Sequence, residues 1–329
     1  MMFSQIAFLA FAQLVLAASR TSPPTGCIVV SPSATSGQYS TLQSAVSSLS
    51  TTSSAAQCIF IYAGTYAEQV YIPARAALLT IYGQTTDTTS YTSNTVTITQ
   101  GKSQDDSANN DATATIRAFA VGLKIYNINI ANTRGKGSQA VALSSQGDQQ
   151  GFYGLKLTGY QDTVLANEGF AVYAKSYIDG ATDFIFGQRQ RAWFDGVDIR
   201  VKANGWVTAN GRDSESNVSY YVFNKCTVEA ASGYTVTAGT QYLGRPWRDY
   251  SRVVFQNSAL SAVINSAGWS VWSSSDANTE YVYYKEFGNT GTGASGTRAS
   301  FSGSLSAAVS ISTILGSSYT SWVDTSYLS

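Results

Sequence analysis

Asp162 and Asp183 lie 21 residues apart, in the segments Gly159-Tyr160-Gln161-Asp162-Thr163 and Asp179-Gly180-Ala181-Thr182-Asp183-Phe184-Ile185-Phe186-Gly187. In a chain that winds with that period, one coil separates them and their side chains stack at the ~4.8 Å spacing of neighbouring strands. Two carboxylates that close do not ionise together easily. One pKa is driven up and the other stays low, so a proton donor and an anion coexist at a single pH. Gln139 precedes Gln161 by 22 residues, which sets a second amide side chain about one coil away on the same face. The bland alternative is that both Asp residues are turn formers accepting backbone N–H groups, the commoner fate of Asp between short strands. Spacing alone leaves both readings open.

The chain contains no histidine. This excludes Ser-His-Asp and Cys-His catalysis, His-ligated zinc or copper, and a His general base, so acid–base work falls to carboxylates. Cys27, Cys58 and Cys226 lack the paired CxxC spacing of a zinc or redox site, and neither a metal nor another cofactor is expected. Twenty basic residues balance twenty acidic ones, which leaves no basic field for a nucleic acid backbone. Charged residues make up 12% of the chain against roughly 25% in an average domain, while 44% are apolar, so the chain is compact rather than disordered.

Several elements must position these residues. The first residues, MMFSQIAFLAFAQLVLAAS, contain an apolar run of about a dozen residues that ends near Ala17 and Ala18, the pattern of a secretory signal peptide over residues 1–17. The run is too short to span a bilayer, and no membrane partner is expected. In an oxidising compartment Cys27 and Cys58 can pair, because each begins an apolar run (CIVV, CIFIY) able to lie beside the other as a strand; Cys226 is then free and buried. Asn217-Val218-Ser219 is a glycosylation sequon. Tyr39, Leu42, Val46 and Leu49 recur at helical spacing, with Ser40 and Gln43 in the form of a capping box. From Cys58 onward short β-rich runs are broken by Gly, Asn and Asp. Phe152, Tyr173 and Phe194 begin similar units 21 residues apart, with looser copies at Phe223 and Phe255. Fixed-period strands without helices between them predict an all-β fold, a right-handed parallel β-helix over residues 18–329 as a single domain. The early helix and the weakly helical C-terminal stretch from Leu305 would cap its ends.

Gly64-Thr65-Tyr66-Ala67-Glu68, Gln139-Ala140-Val141-Ala142-Leu143, the Gln161-Asp162 segment, the Asp179–Gly187 segment and Leu243-Gly244-Arg245-Pro246-Trp247 resemble, in order, the five signature motifs of pectin methylesterases. The resemblance runs from about Cys27 to the C-terminus and is strongest to secreted fungal members. It implies a monomeric extracellular hydrolase acting on methyl-esterified pectin. By that resemblance Asp183 is the nucleophile, Asp162 the acid/base, and Gln161 and Gln139 the oxyanion donors. It also implies that Arg245 orients Asp183 and that Gln139, Arg245, Trp247 and Phe186 bind the sugar chain. Glu68 is expected to be structural, and Trp269 and Trp272 are candidate cleft residues. Two rivals remain on the residues: a retaining glycosidase, which also suits carboxylates ~5 Å apart, and a non-catalytic carbohydrate-binding solenoid.

Overall fold

The structure is a computed structural model and describes residues 18–329; the expected signal segment 1–17 lies outside the described residues. The described strands form three sheets, of eleven, eight and seven strands, whose neighbours all pair in parallel. Consecutive coils place one strand in each: Gln150–Tyr153, Lys156–Thr158 and Val164–Ala166, then Phe170–Ala174, Tyr177–Gly180 and Ile185–Gly187. This is a right-handed parallel β-helix.

The 21-residue period has a visible origin. Phe152, Tyr173, Phe194, Phe223 and Phe255 stack inside the eleven-stranded sheet with ring centroids 4.9, 4.5, 4.3 and 4.3 Å apart. The rings are fully buried and stack at close to the strand spacing, so they fix the register of each coil on the last. In four coils the sharp corner into the eight-stranded sheet falls one residue after a non-glycine strand end, where Asn127, Lys175, Lys225 and Asn257 adopt φ of 53°, 46°, 52° and 51°. A lysine in a left-handed conformation is costly by itself, so the stack imposes the corner.

At the N-terminal end Ile28–Val30 pairs with Gln57–Ile61, and Cys27 and Cys58 beside them form a disulfide. The helix Leu42–Ser48 packs against these first strands and buries Leu42, Ala45 and Val46. Its cap differs from the expected box. Thr41, not Ser40, is the N-cap and accepts from the Ser44 amide at 3.1 Å. The Leu42 and Gln43 amides are instead taken by Glu68, both at 2.8 Å. A carboxylate at a helix N-terminus satisfies two otherwise unpaired donors, which gives Glu68 its structural place.

The C-terminal segment does not cover the other end. Its helix Ile311–Leu315 packs on the middle strands of the eleven-stranded sheet, and the chain then crosses several coils. The Asp324 amide donates to the Tyr153 hydroxyl at 2.8 Å, the Ser329 amide to Asp195 at 2.8 Å, and Lys225 Nζ to the Ser329 carbonyl at 2.8 Å. An apolar face outside the sheet, with Tyr126, Tyr153, Val172 and Trp193, is thereby covered by Trp322, Val323 and Tyr327.

Candidate active site

Asp162 and Asp183 sit in equivalent turns that lead from the eight-stranded into the seven-stranded sheet, at φ of 65° and 50°. Asp tolerates this region better than most residues. The turns are laddered: Gln161 bridges Thr182 in parallel, the Asp162 amide donates to the Thr182 carbonyl at 3.1 Å, and the Ala140 amide to the Gln161 carbonyl at 3.1 Å. Gln139 is therefore level with Gln161, and Asp162 with Asp183. Behind the turns lies a buried brace. Asp179 accepts from the Gly159 amide at 3.0 Å and pairs with Lys202 at 2.8 Å, while Lys202 also donates to the Gly159 carbonyl. Gly187 ends the strand that follows the second turn, where a Cβ would stand 2.0 Å from the Ala166 carbonyl oxygen.

Arg245 follows the strand Gln241–Gly244 and reaches back to Asp183 with two parallel bonds, Nε to Oδ1 at 2.9 Å and Nη2 to Oδ2 at 2.6 Å. Such a fork fixes the carboxylate plane as well as its charge. The third nitrogen, Nη1, donates to the Trp272 carbonyl at 3.1 Å. The guanidinium carbon is 3.7 Å from the ring centre of Trp206 and 4.1 Å from that of Trp272.

Both acids are almost closed off from solvent, Asp162 at 5% and Asp183 at 6% exposure. Burial raises the Asp162 pKa well above the ordinary carboxylate value, and the neighbouring Asp183 charge raises it further. Burial raises Asp183 too, but the Arg245 fork opposes it, so Asp183 gives up its proton first. The arrangement therefore offers a carboxylate anion and a carboxylic acid side by side.

The two acids, Gln139, Gln161, Phe186, Arg245, Trp247 and Trp272 line one pocket of about 210 Å³. It adjoins a longer groove of about 430 Å³ that runs past Leu165 and Gln146 to Phe119, with Phe186 and Trp247 shared by both. Sequence reasoning missed two residues here. Asn110 lines both spaces and donates to Asp162 Oδ2 at 3.4 Å, and Trp206 stacks on Arg245. One expectation is corrected. Trp269 is 1% exposed and stacks on Tyr284 at 4.1 Å inside the core, so of the pair only Trp272 faces the cleft. Asn217 is 6% exposed, and its amide nitrogen donates to Asp213 at 2.8 Å and the Gln188 carbonyl at 3.1 Å. That nitrogen is where a glycan would attach in the Asn217-Val218-Ser219 sequon.

The sequence profile of the Pectinesterase family matches residues 28–315. A pectinesterase of Aspergillus aculeatus is 55% identical over 332 residues, covering 99% of this chain and 100% of that protein. The chain belongs to the pectinesterase family. Among solved structures, the pectin methylesterase of Aspergillus niger in deglycosylated form superposes with a TM-score of 0.88 at 41% identity, covering 94% of this chain and 100% of that one. The carrot pectin methylesterase follows at 0.82 and 28%, covering 94% and 98%. In this pectinesterase the neutral side-chain amides of Gln139 and Gln161 line the same pocket as the acid pair.

Proposed function

We propose that this chain removes methyl esters from homogalacturonan, with Asp183 as nucleophile and Asp162 as acid and base. The observation that carries the reading is the fork of Arg245 on Asp183 beside an Asp162 of higher pKa. The Asp183 carboxylate attacks the ester carbonyl, and the oxyanion forms against the side-chain amides of Gln161 and Gln139. Collapse breaks the bond to methoxide, which leaves as methanol with the proton of Asp162. An anhydride between Asp183 and galacturonate remains. Asp162, now a carboxylate, takes a proton from water as its oxygen attacks the anhydride, which restores Asp162 as the acid and Asp183 as the carboxylate and releases a galacturonic acid whose proton passes to solvent.

Phe186 and Trp247 offer the sugar chain its apolar faces, while Arg245 holds the nucleophile and lines the same pocket. No metal or cofactor enters. An apolar N-terminal run and the Cys27–Cys58 disulfide support an exported, extracellular enzyme. The test is to incubate purified protein with methyl-esterified homogalacturonan and to measure methanol and new reducing ends in parallel. Methanol without reducing ends is expected; reducing ends without methanol would move the chain to the glycosidases, and neither product would leave a binding solenoid.

A further inference from the structure

Arg245 is held by more than its ion pair. Two ring centres at 3.7 and 4.1 Å from one planar carbon cannot share a face of the guanidinium, so Trp206 and Trp272 cover opposite faces. The two rings are anchored very differently. Trp206 belongs to the strand Gly205–Asn210, in register with Tyr242 of the next coil, and so is part of the rigid stack. Trp272 belongs to an irregular segment outside the sheets, and its carbonyl is tied to the same guanidinium through Nη1. The indole nitrogen of Trp206 donates to Ser270 Oγ at 2.5 Å, just before that segment. Trp206 is thus the fixed jaw of a clamp whose other jaw is a wall of the catalytic pocket.

We propose that Trp206 is a positioning residue for the reaction: it holds the Arg245 guanidinium in the plane of the Asp183 carboxylate and keeps water off its far face. The proposal rests on the esterase reading for its kinetic consequence but not for its physical content. Planar guanidinium stacks readily on indole, and the attraction is strongest where water is excluded. Screening by water is what reduces most ion pairs to little, so a dry outer face preserves the charge of Arg245 as Asp183 feels it. The charged and titratable groups near this pair are few. Asp162, whose own pKa the Asp183 charge raises, faces Asp183 from the preceding coil, and Tyr284, whose hydroxyl is raised by burial, is near enough to feel both partners. Burial raises the Asp183 pKa, and Arg245 opposes it.

Replacing Trp206 by Leu opens the far face of Arg245 without touching the cover over Asp183 itself. The pair weakens, Asp183 holds its proton to higher pH, and the acid limb of kcat moves upward by about half to one pH unit. Trp206→Phe retains a ring face and should restore the wild-type profile. A merely structural role for Trp206 would lower the melting temperature of both variants and leave the acid limb in place. The ionisation is also read without substrate, by carbon NMR titration of the Asp183 carboxyl in the wild type and both variants. An upward shift in Trp206→Leu alone supports the proposal. An unchanged or lowered Asp183 pKa in folded Trp206→Leu overturns it. Absence of methanol at every pH would instead defeat the esterase reading, with the titration still deciding the role of Trp206.

Discussion

Asp162 and Asp183 occupy the same left-handed turn position on consecutive coils, with φ of 65° and 50°. Non-glycine residues in this region carry strain of order 1–3 kcal/mol, and they persist where the surroundings over-determine them. Here the surroundings are the Gln161–Thr182 bridge and the Asp179–Lys202 brace. The turn lifts each carboxyl out of the sheet and into the pocket, so the strain accompanies the orientation that the chemistry needs.

Asp183→Asn should abolish methanol release while leaving the circular dichroism spectrum of the folded chain intact. The amide nearly matches the carboxylate in shape but is not a nucleophile. Activity above a few per cent of wild type would reject Asp183 as the attacking group.

Asp162→Asn should lower methanol release by about 10² or more, the usual range for loss of a general acid–base. Its effect on stability has the opposite sign. Burial and Asp183 raise the folded pKa of Asp162, so its contribution to folding is complete below the unfolded value near 4 and is lost as pH rises through the folded value. The permanently neutral variant is therefore expected to melt above wild type at neutral pH, and scans toward pH ~3.5 should bring the two together. A variant that melts lower at neutral pH would show that the ionised acid is better solvated than its burial implies.

Gln161→Leu should reduce kcat by roughly 10²–10³ with little change in KM, as for other single oxyanion donors. Steady-state kinetics on esterified pectin check this. A change confined to KM would make Gln161 a binding residue only.

Replacing Cys27 and Cys58 together by Ser opens a cross-link between residues 31 apart. The chain-entropy estimate for that loop is about 3–4 kcal/mol. Limited proteolysis should cut first around the Ile28–Val30 strand, and a denaturation midpoint equal to wild type would mean that strand pairing alone holds this end.

The sequence was most legible where coils are shortest. Phe152, Tyr173 and Phe194 repeat at 21 residues because nothing is inserted between them, and the same economy makes the spacing of Asp162 and Asp183 readable. Later coils carry loops, so the copies at Phe223 and Phe255 drift even though their rings continue the same stack. Asn110 and Trp206 escaped notice for that reason: each reaches the site from a coil whose length hides its register. Trp269 and Trp272 are only three positions apart, and no local pattern separates them. What separates them is a chain that leaves the sheet after Trp269, sending one ring inward onto Tyr284 and the other over Arg245. The helix cap was misplaced by one residue because its real partner, Glu68, comes from a different strand.

A stack of coils that touch only their neighbours unravels from its ends, because each coil can be lost almost independently of those further in. The C-terminal strap changes that for this chain. Residues 309–329 make bonds to Gln256, Tyr153, Asp195 and Lys225, which belong to different coils. A coil in the middle cannot open without lifting the strap, and lifting the strap frees the others as well. The strap thus works as a longitudinal stringer that converts a series of weakly coupled units into a single cooperative one. Its removal should broaden the unfolding transition before it lowers the midpoint.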